Sequence, residues 1–128
     1  MKLKKLEQVE WILRLGVFGT FFGHGVIALL GKPAWLKYFV AVGISESAGA
    51  FLLPLIGILD VAVALFVLFK PLKVVLGWAV LWAFVTALIR PVSGEPIWDL
   101  VERAANFMAP LALLVFYGLP KKLKDWFT

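Results

Sequence analysis

The chain has 128 residues, enough for one domain, and is 62% hydrophobic and 16% charged with a mean hydropathy of +0.96; this excludes an ordinary soluble globule, which would expose large apolar patches to water. With no cysteine and one histidine, disulfides, thiolate metal sites, iron–sulfur clusters and bis-histidine haem ligation within one chain are excluded. The formal net charge of +5 comes from basic residues clustered at the ends of apolar runs, a pattern that fits anionic lipid headgroups rather than nucleic acid.

A membrane span needs about 20 apolar residues. Four segments qualify, Trp11–Gly31, Ala48–Phe69, Val74–Arg90 and Ile97–Gly118, and together they predict a single all-α membrane domain over residues 1–128, a four-helix bundle. The N-terminus resembles a signal-peptide n-region in charge, but its apolar run continues to Gly31 without a small-residue cleavage site, so it is read as a retained span. The first span carries Gly16, Gly19 and Gly23 near one face. That spacing points to close helix packing within the chain, with dimerisation as the other use of the face. Arg14, near the span's cytoplasmic end, is expected to reach lipid phosphates.

Residues 33–47 are too long for a tight turn and too short to span. Trp35, Tyr38 and Phe39 mixed with Lys37 predict a short helix in the outer interface, its rings at headgroup depth. Ser45 and Glu46 suit the N-terminus of the second span. The link from Lys70 to Lys73 predicts that spans two and three pack as antiparallel neighbours. Lysines 2, 4, 5, 70, 73, 121, 122 and 124 fall on one side, against Lys32, Lys37 and Arg90 on the other. The positive-inside rule therefore places both termini in the cytoplasm.

Ionisable groups within apolar spans cost about 2.5 to 3.5 kcal/mol at mid-bilayer and need a partner, water or a function. Here they are His24, Asp60, Arg90, Glu102, Arg103 and the neutral Asn106. Trp78, Trp82, Thr86 and Arg90 recur every four residues, an aromatic wall ending in a guanidinium. Glu102 and Asn106 share one predicted helix face, and Asp99 with Arg103 forms another i,i+4 pair. Pro110 frees the carbonyl of Asn106 and marks an expected kink. The expected constellation is His24, Asp60, Arg90, Glu102 and Asn106, converging in the outer half under Trp82 and Trp98. An architectural reading also accounts for these residues: a salt bridge between Glu102 and Arg90 or Arg103, and a buried hydrogen bond from His24 to Asp60 or Asn106.

The glycine-rich first span with Arg14 and Gly16, the His24-Gly25 pair followed by Lys32-Pro33-Ala34-Trp35, the Asp60 helix, and RPVSGEPIWDLVERAANFMAPLALL from Arg90 to Leu114 resemble the DoxX-like superfamily of small four-helix bacterial membrane proteins. The resemblance covers nearly the whole chain. It implies a four-helix membrane fold and, in some members, association with respiratory or sulfur-oxidising enzymes linked to quinones; other members are implicated in redox stress or membrane-protein assembly. No catalytic motif is matched residue by residue. The chain also lacks a nucleophile motif, a phosphate-binding glycine loop and metal-ligand spacing, which leans against an enzyme. The expected function is a non-catalytic binding module for a quinone-like or lipid-like molecule in a bacterial or archaeal cytoplasmic membrane. The alternatives are a structural or assembly subunit, as a homo-oligomer or with another membrane protein, and proton-coupled transport by an oligomer through His24, Asp60 and Glu102.

Overall fold

The computed structural model describes residues 2–128. Its helices are α1 (Leu3–Leu29), α2 (Leu36–Ala41), α3 (Glu46–Phe69), α4 (Lys73–Val92), α5 (Trp98–Val101) and α6 (Ala104–Tyr117), with 3-10 turns at Pro33–Trp35 and Leu123–Phe127. Four segments are long and apolar enough to cross a membrane: α1, α3, α4, and α5 with α6 taken together. The protein is an all-helical bundle of four spans, with α2 as a short extra helix between the first two.

The boundaries differ from expectation in physically legible ways. The first helix begins at Leu3, eight residues before Trp11, because the charged stretch ahead of the apolar run contains no helix breaker. Helix α4 runs past Arg90 and Pro91 to Val92. The last span is interrupted at Glu102 and Arg103, where α5 ends and α6 begins, whereas Pro110 lies buried inside a continuous α6. The interruption of the span thus falls two turns before the proline. Ser45 caps α3, its Oγ accepting from the Ala48 amide at 3.2 Å, with Glu46 in the first turn.

Helix α3 packs chiefly against α1, and α4 against α6. The short link makes α3 and α4 neighbours along the chain, yet they touch little: the expected close packing of the second and third spans gives way to the pairs of α1 with α3 and of α4 with α6. The α1–α3 contact is built on glycine. A Cβ on Gly57 would lie 2.7 Å from the Gly25 carbonyl oxygen and 2.8 Å from the Leu29 amide, and one on Gly25 would lie 2.9 Å from the Gly57 oxygen. The backbones meet there as small residues allow in lipid. The expected intrachain role of Gly16, Gly19 and Gly23 is corrected: a Cβ at any of them meets nothing within 4 Å. Their face of α1 is largely uncovered, because α1 packs through another face, which carries Arg14, Val17, Phe21, Gly25 and Ala28 along its length.

At the end of the bundle near the termini, Val17, Val63, Ala64, Val67, Leu76, Ala79 and Leu113 form a closed apolar core. Arg14 belongs to this architecture and does not reach outward. It is 8% exposed, and its Nε donates to the Val67 carbonyl at 3.0 Å and its Nη2 to that of Leu68, satisfying the C-terminal carbonyls of α3. Glu10 lies 3.4 Å from the same guanidinium and accepts from the Tyr117 hydroxyl. Helices α1, α3 and α6 are thereby tied together at one level.

Candidate ligand cavity

Above this core, at the end of the bundle opposite the termini, the helices separate around a cavity of about 390 Å³. Phe21 and Ala83 belong to both the core and the cavity lining, so the core is the cavity floor. From α1 come Thr20, Phe21 and His24; from α3, Leu52, Leu53, Ile56 and Asp60; from α4, Trp82, Thr86, Ile89 and Arg90; and from the last span, Arg103 and Asn106. The remaining side is closed by Trp35, Tyr38, Phe39, Val42 and Ile44.

The residues singled out in the sequence divide in two. His24, Asp60, Trp82, Arg90, Arg103 and Asn106 share the cavity lining. Glu102, Trp78 and Trp98 do not. The side chain of Glu102 is 66% exposed and pairs with Arg103 at 2.9 Å. The break at Glu102 and Arg103 uncouples it from Asn106, so a projection assuming one unbroken helix misplaces it. Trp78 stacks behind Trp82 at 5.5 Å between ring centroids with the planes 9° apart, supporting that wall from the core side. Trp98 is 70% exposed and faces away. The expected Asp99–Arg103 ion pair is replaced by a bond from Arg103 Nη1 to the Asp99 backbone carbonyl at 2.8 Å.

Sequence reasoning missed the cover and its anchor. The short helix expected between the first two spans is present, and the aromatic residues Trp35, Tyr38 and Phe39 of that segment turn toward the bundle and line the cavity. The ring of Phe39 fills the notch left by Gly49, where a Cβ would come within 2.8 Å of it. Trp35 stands edge-on to His24 at 5.9 Å. Tyr38 lies beneath the Arg90 guanidinium, 4.7 Å from its ring centroid, a cation–π contact. The anchor is Glu95, carried on the turn after α4. Gly94, at φ +99°, and the Ser93 hydroxyl, donating to the Arg90 carbonyl at 2.8 Å, bend that turn back over the cavity. Glu95 then accepts from the Tyr38 hydroxyl at 2.7 Å, pairs with Lys37 at 2.9 Å and lies 3.7 Å from Arg90. A carboxylate flanked by Gly94 and Pro96 directly after the Arg90 helix was the available signal.

These contacts fix the protonation of the cover. Lys37 first, then the Tyr38 hydroxyl, stabilise the Glu95 carboxylate and bring its pKa down to about 2. Burial, followed by the bond to Glu95, pushes the Tyr38 phenol up to about 12. Within the cavity the polar groups are incompletely partnered. Asp60 is 4% exposed and its Oδ1 has no hydrogen-bond partner among the described residues; the same holds for the buried Nε of Arg90. Buried polar atoms of this kind are few in folded proteins and call for a physical reason.

The fold and the cavity define a multi-pass helical membrane protein with a capped, mostly apolar chamber carrying a few convergent polar groups. The chain matches no family model, no curated protein and no solved structure.

Proposed function

We propose that this protein is a small DoxX-like integral membrane protein that acts as a non-catalytic binding module, holding a quinone-like or lipid-like amphipathic molecule in the capped cavity. The observation that carries the reading is the joint placement of Asp60, Trp82, His24 and Arg90 around one chamber with aromatic walls. Small-molecule sites are concave and mostly apolar, with a few placed polar groups. Arg90 orients an acceptor or anionic group at the covered end, and Trp82 lies against the apolar body of the ligand. The reading puts the protein in the cytoplasmic membrane of a bacterium or archaeon with both termini in the cytoplasm, supported by the lysine distribution. The cover then faces the outer leaflet, where an amphipathic molecule has access.

The test is ligand protection. In lipid nanodiscs a short-chain ubiquinone analogue is expected to raise the unfolding temperature saturably. Replacement Arg90→Ala weakens that affinity roughly tenfold or more, since a hydrogen bond to a charged group contributes about 1.5 to 3 kcal/mol. Unsaturable protection, or protection equal in the Arg90→Ala protein, counts against the site.

One observation favours a second reading, a structural or assembly subunit: the uncovered face of Gly16, Gly19 and Gly23, a surface type suited to close helix contact in lipid. A defined membrane partner or a second copy recovered in stoichiometric amount, and lost in Gly19→Leu, supports it. A monomer in native membranes removes it.

A further inference from the structure

Resting on the reading of the cavity as a small-molecule site, we propose that its ligand presents a hydroxyl group to Asp60 at the inner end and an acceptor or anionic group to Arg90 at the outer end. The site then takes phenol- or quinol-type molecules in preference to their oxidised or O-alkylated counterparts.

The inner end is defined by Asp60, a carboxyl group buried to 4% exposure, lining the cavity, with Oδ1 unpartnered. Its polar neighbour is Trp82, whose indole only donates. An incoming group must therefore satisfy a carboxyl oxygen in a largely apolar chamber. A hydroxyl both donates and accepts, so it serves Asp60 whether the carboxyl is ionised or neutral, whereas a carbonyl or ether oxygen only accepts and is repelled by a carboxylate. An ammonium group also pairs with a carboxylate, but the chamber lining already holds two guanidinium groups, Arg90 and Arg103, against one acid, Asp60, and the Glu95 and Glu102 carboxylates beside them lie outside the lining. Adding a cation there is opposed by charges already present in a medium of low dielectric constant.

The outer end is Arg90, whose buried Nε is unpartnered and whose guanidinium lies over the Tyr38 ring and 3.7 Å from Glu95. Trp82 and Arg90 are eight residues apart on one helix, an axial separation of about 12 Å before the arginine side chain bends. The volume of about 390 Å³ lies at the lower end of the usual range for ligand pockets. One ring with a short chain fits both limits. Phe21, Phe39 and Trp82 supply its walls.

The experiment uses the full-length protein in nanodiscs and four soluble probes, 3-phenylpropionate and its para-hydroxy, para-methoxy and para-aminomethyl derivatives, with binding read by tryptophan fluorescence against empty nanodiscs. The para-hydroxy acid is expected to bind at least about tenfold more tightly than the unsubstituted and methoxy acids, the size expected for one hydrogen bond to a buried charged group. Asp60→Leu removes that preference, and Asp60→Asn keeps part of it. Equal affinities, with binding still lost in Arg90→Ala, overturn the hydroxyl assignment and leave the cavity reading intact. Tightest binding by the aminomethyl acid overturns it in favour of a cation subsite. Failure of all four to bind saturably overturns both. The comparison among probes on the unaltered protein stands even if an Asp60 variant does not fold.

Discussion

Arg14 and Asp60 are the two charged residues buried among those described, and their surroundings differ in kind. Arg14 has its donors on carbonyls that end α3 and a carboxylate beside it; Asp60 keeps an open oxygen facing a cavity. Removing Arg14 uncovers two buried carbonyls and the Glu10 charge, so Arg14→Ala is expected to lower unfolding stability by about 3 kcal/mol, the upper end for hydrogen bonds to a charged group. Asp60→Leu replaces a poorly paired buried carboxyl with an apolar side chain of similar size, and its cost is expected to stay within about 1 kcal/mol or to be a gain. Steric trapping in bicelles measures both. A severe loss in Asp60→Leu would assign Asp60 to architecture, alongside Arg14.

Between helices, the contact of α1 with α3 and the seating of α2 set the shape of the cavity. Gly57→Ala forces a Cβ against the backbone of α1, so a loss of about 1 to 3 kcal/mol is expected, as for overpacking. Gly19→Ala meets open space, and its higher helix propensity is expected to leave the monomer unchanged or up to about 1 kcal/mol more stable. Thermal unfolding of the two variants in one detergent separates these outcomes; equal loss in both would contradict the packing described. The seating of α2 depends on pH in a definite direction. The Glu95 pKa is depressed to about 2 from an ordinary 4.5, so its contribution is complete above the ordinary value and is lost as pH falls through about 2. The Tyr38 pKa is raised to about 12 from an ordinary 10.0, so its contribution is complete below the ordinary value and is lost as pH rises through about 12. Hydrogen exchange in α2, corrected for the intrinsic pH dependence, is therefore expected to stay constant from about pH 5 to 9 and to accelerate in Glu95→Gln. A change in protection near neutral pH would mean that another group holds the cover. At this scale the sequence was only partly legible: apolar length and helix breakers mark each span, but the inward turn of Trp35, Tyr38 and Phe39 depends on the notch at Gly49 and on Glu95, more than 40 residues away along the chain. The break at Glu102 and Arg103 was hidden for a related reason, since Pro110 is the stronger local signal.

Across the whole molecule, a closed apolar core at one end supports an open, polar-lined chamber at the other. That division was visible in outline, because His24, Asp60, Arg90 and Asn106 lie on different spans at overlapping depth, and a rise of about 1.5 Å per residue suffices to align them. What depth alone cannot supply is the direction of each side chain around its helix, which sets Glu102 outside the chamber; Trp78, one turn below Trp82 on the same face, falls instead at the level of the closed core. The chain contains no cysteine, so single cysteines report topology without background. Cysteine at Lys37 is expected to react with an impermeant maleimide added outside intact cells, and cysteine at Lys70 only after lysis; the reverse pattern would invert the orientation. The most direct measurement of the central claim is native mass spectrometry of the protein extracted gently from its own membrane, beside a Thr86→Phe variant that fills the chamber. One small molecule of defined mass, retained by the unaltered protein and absent from the variant, is the result expected. Bulk lipid alone in both, with equal stability, would contradict a binding function for the cavity.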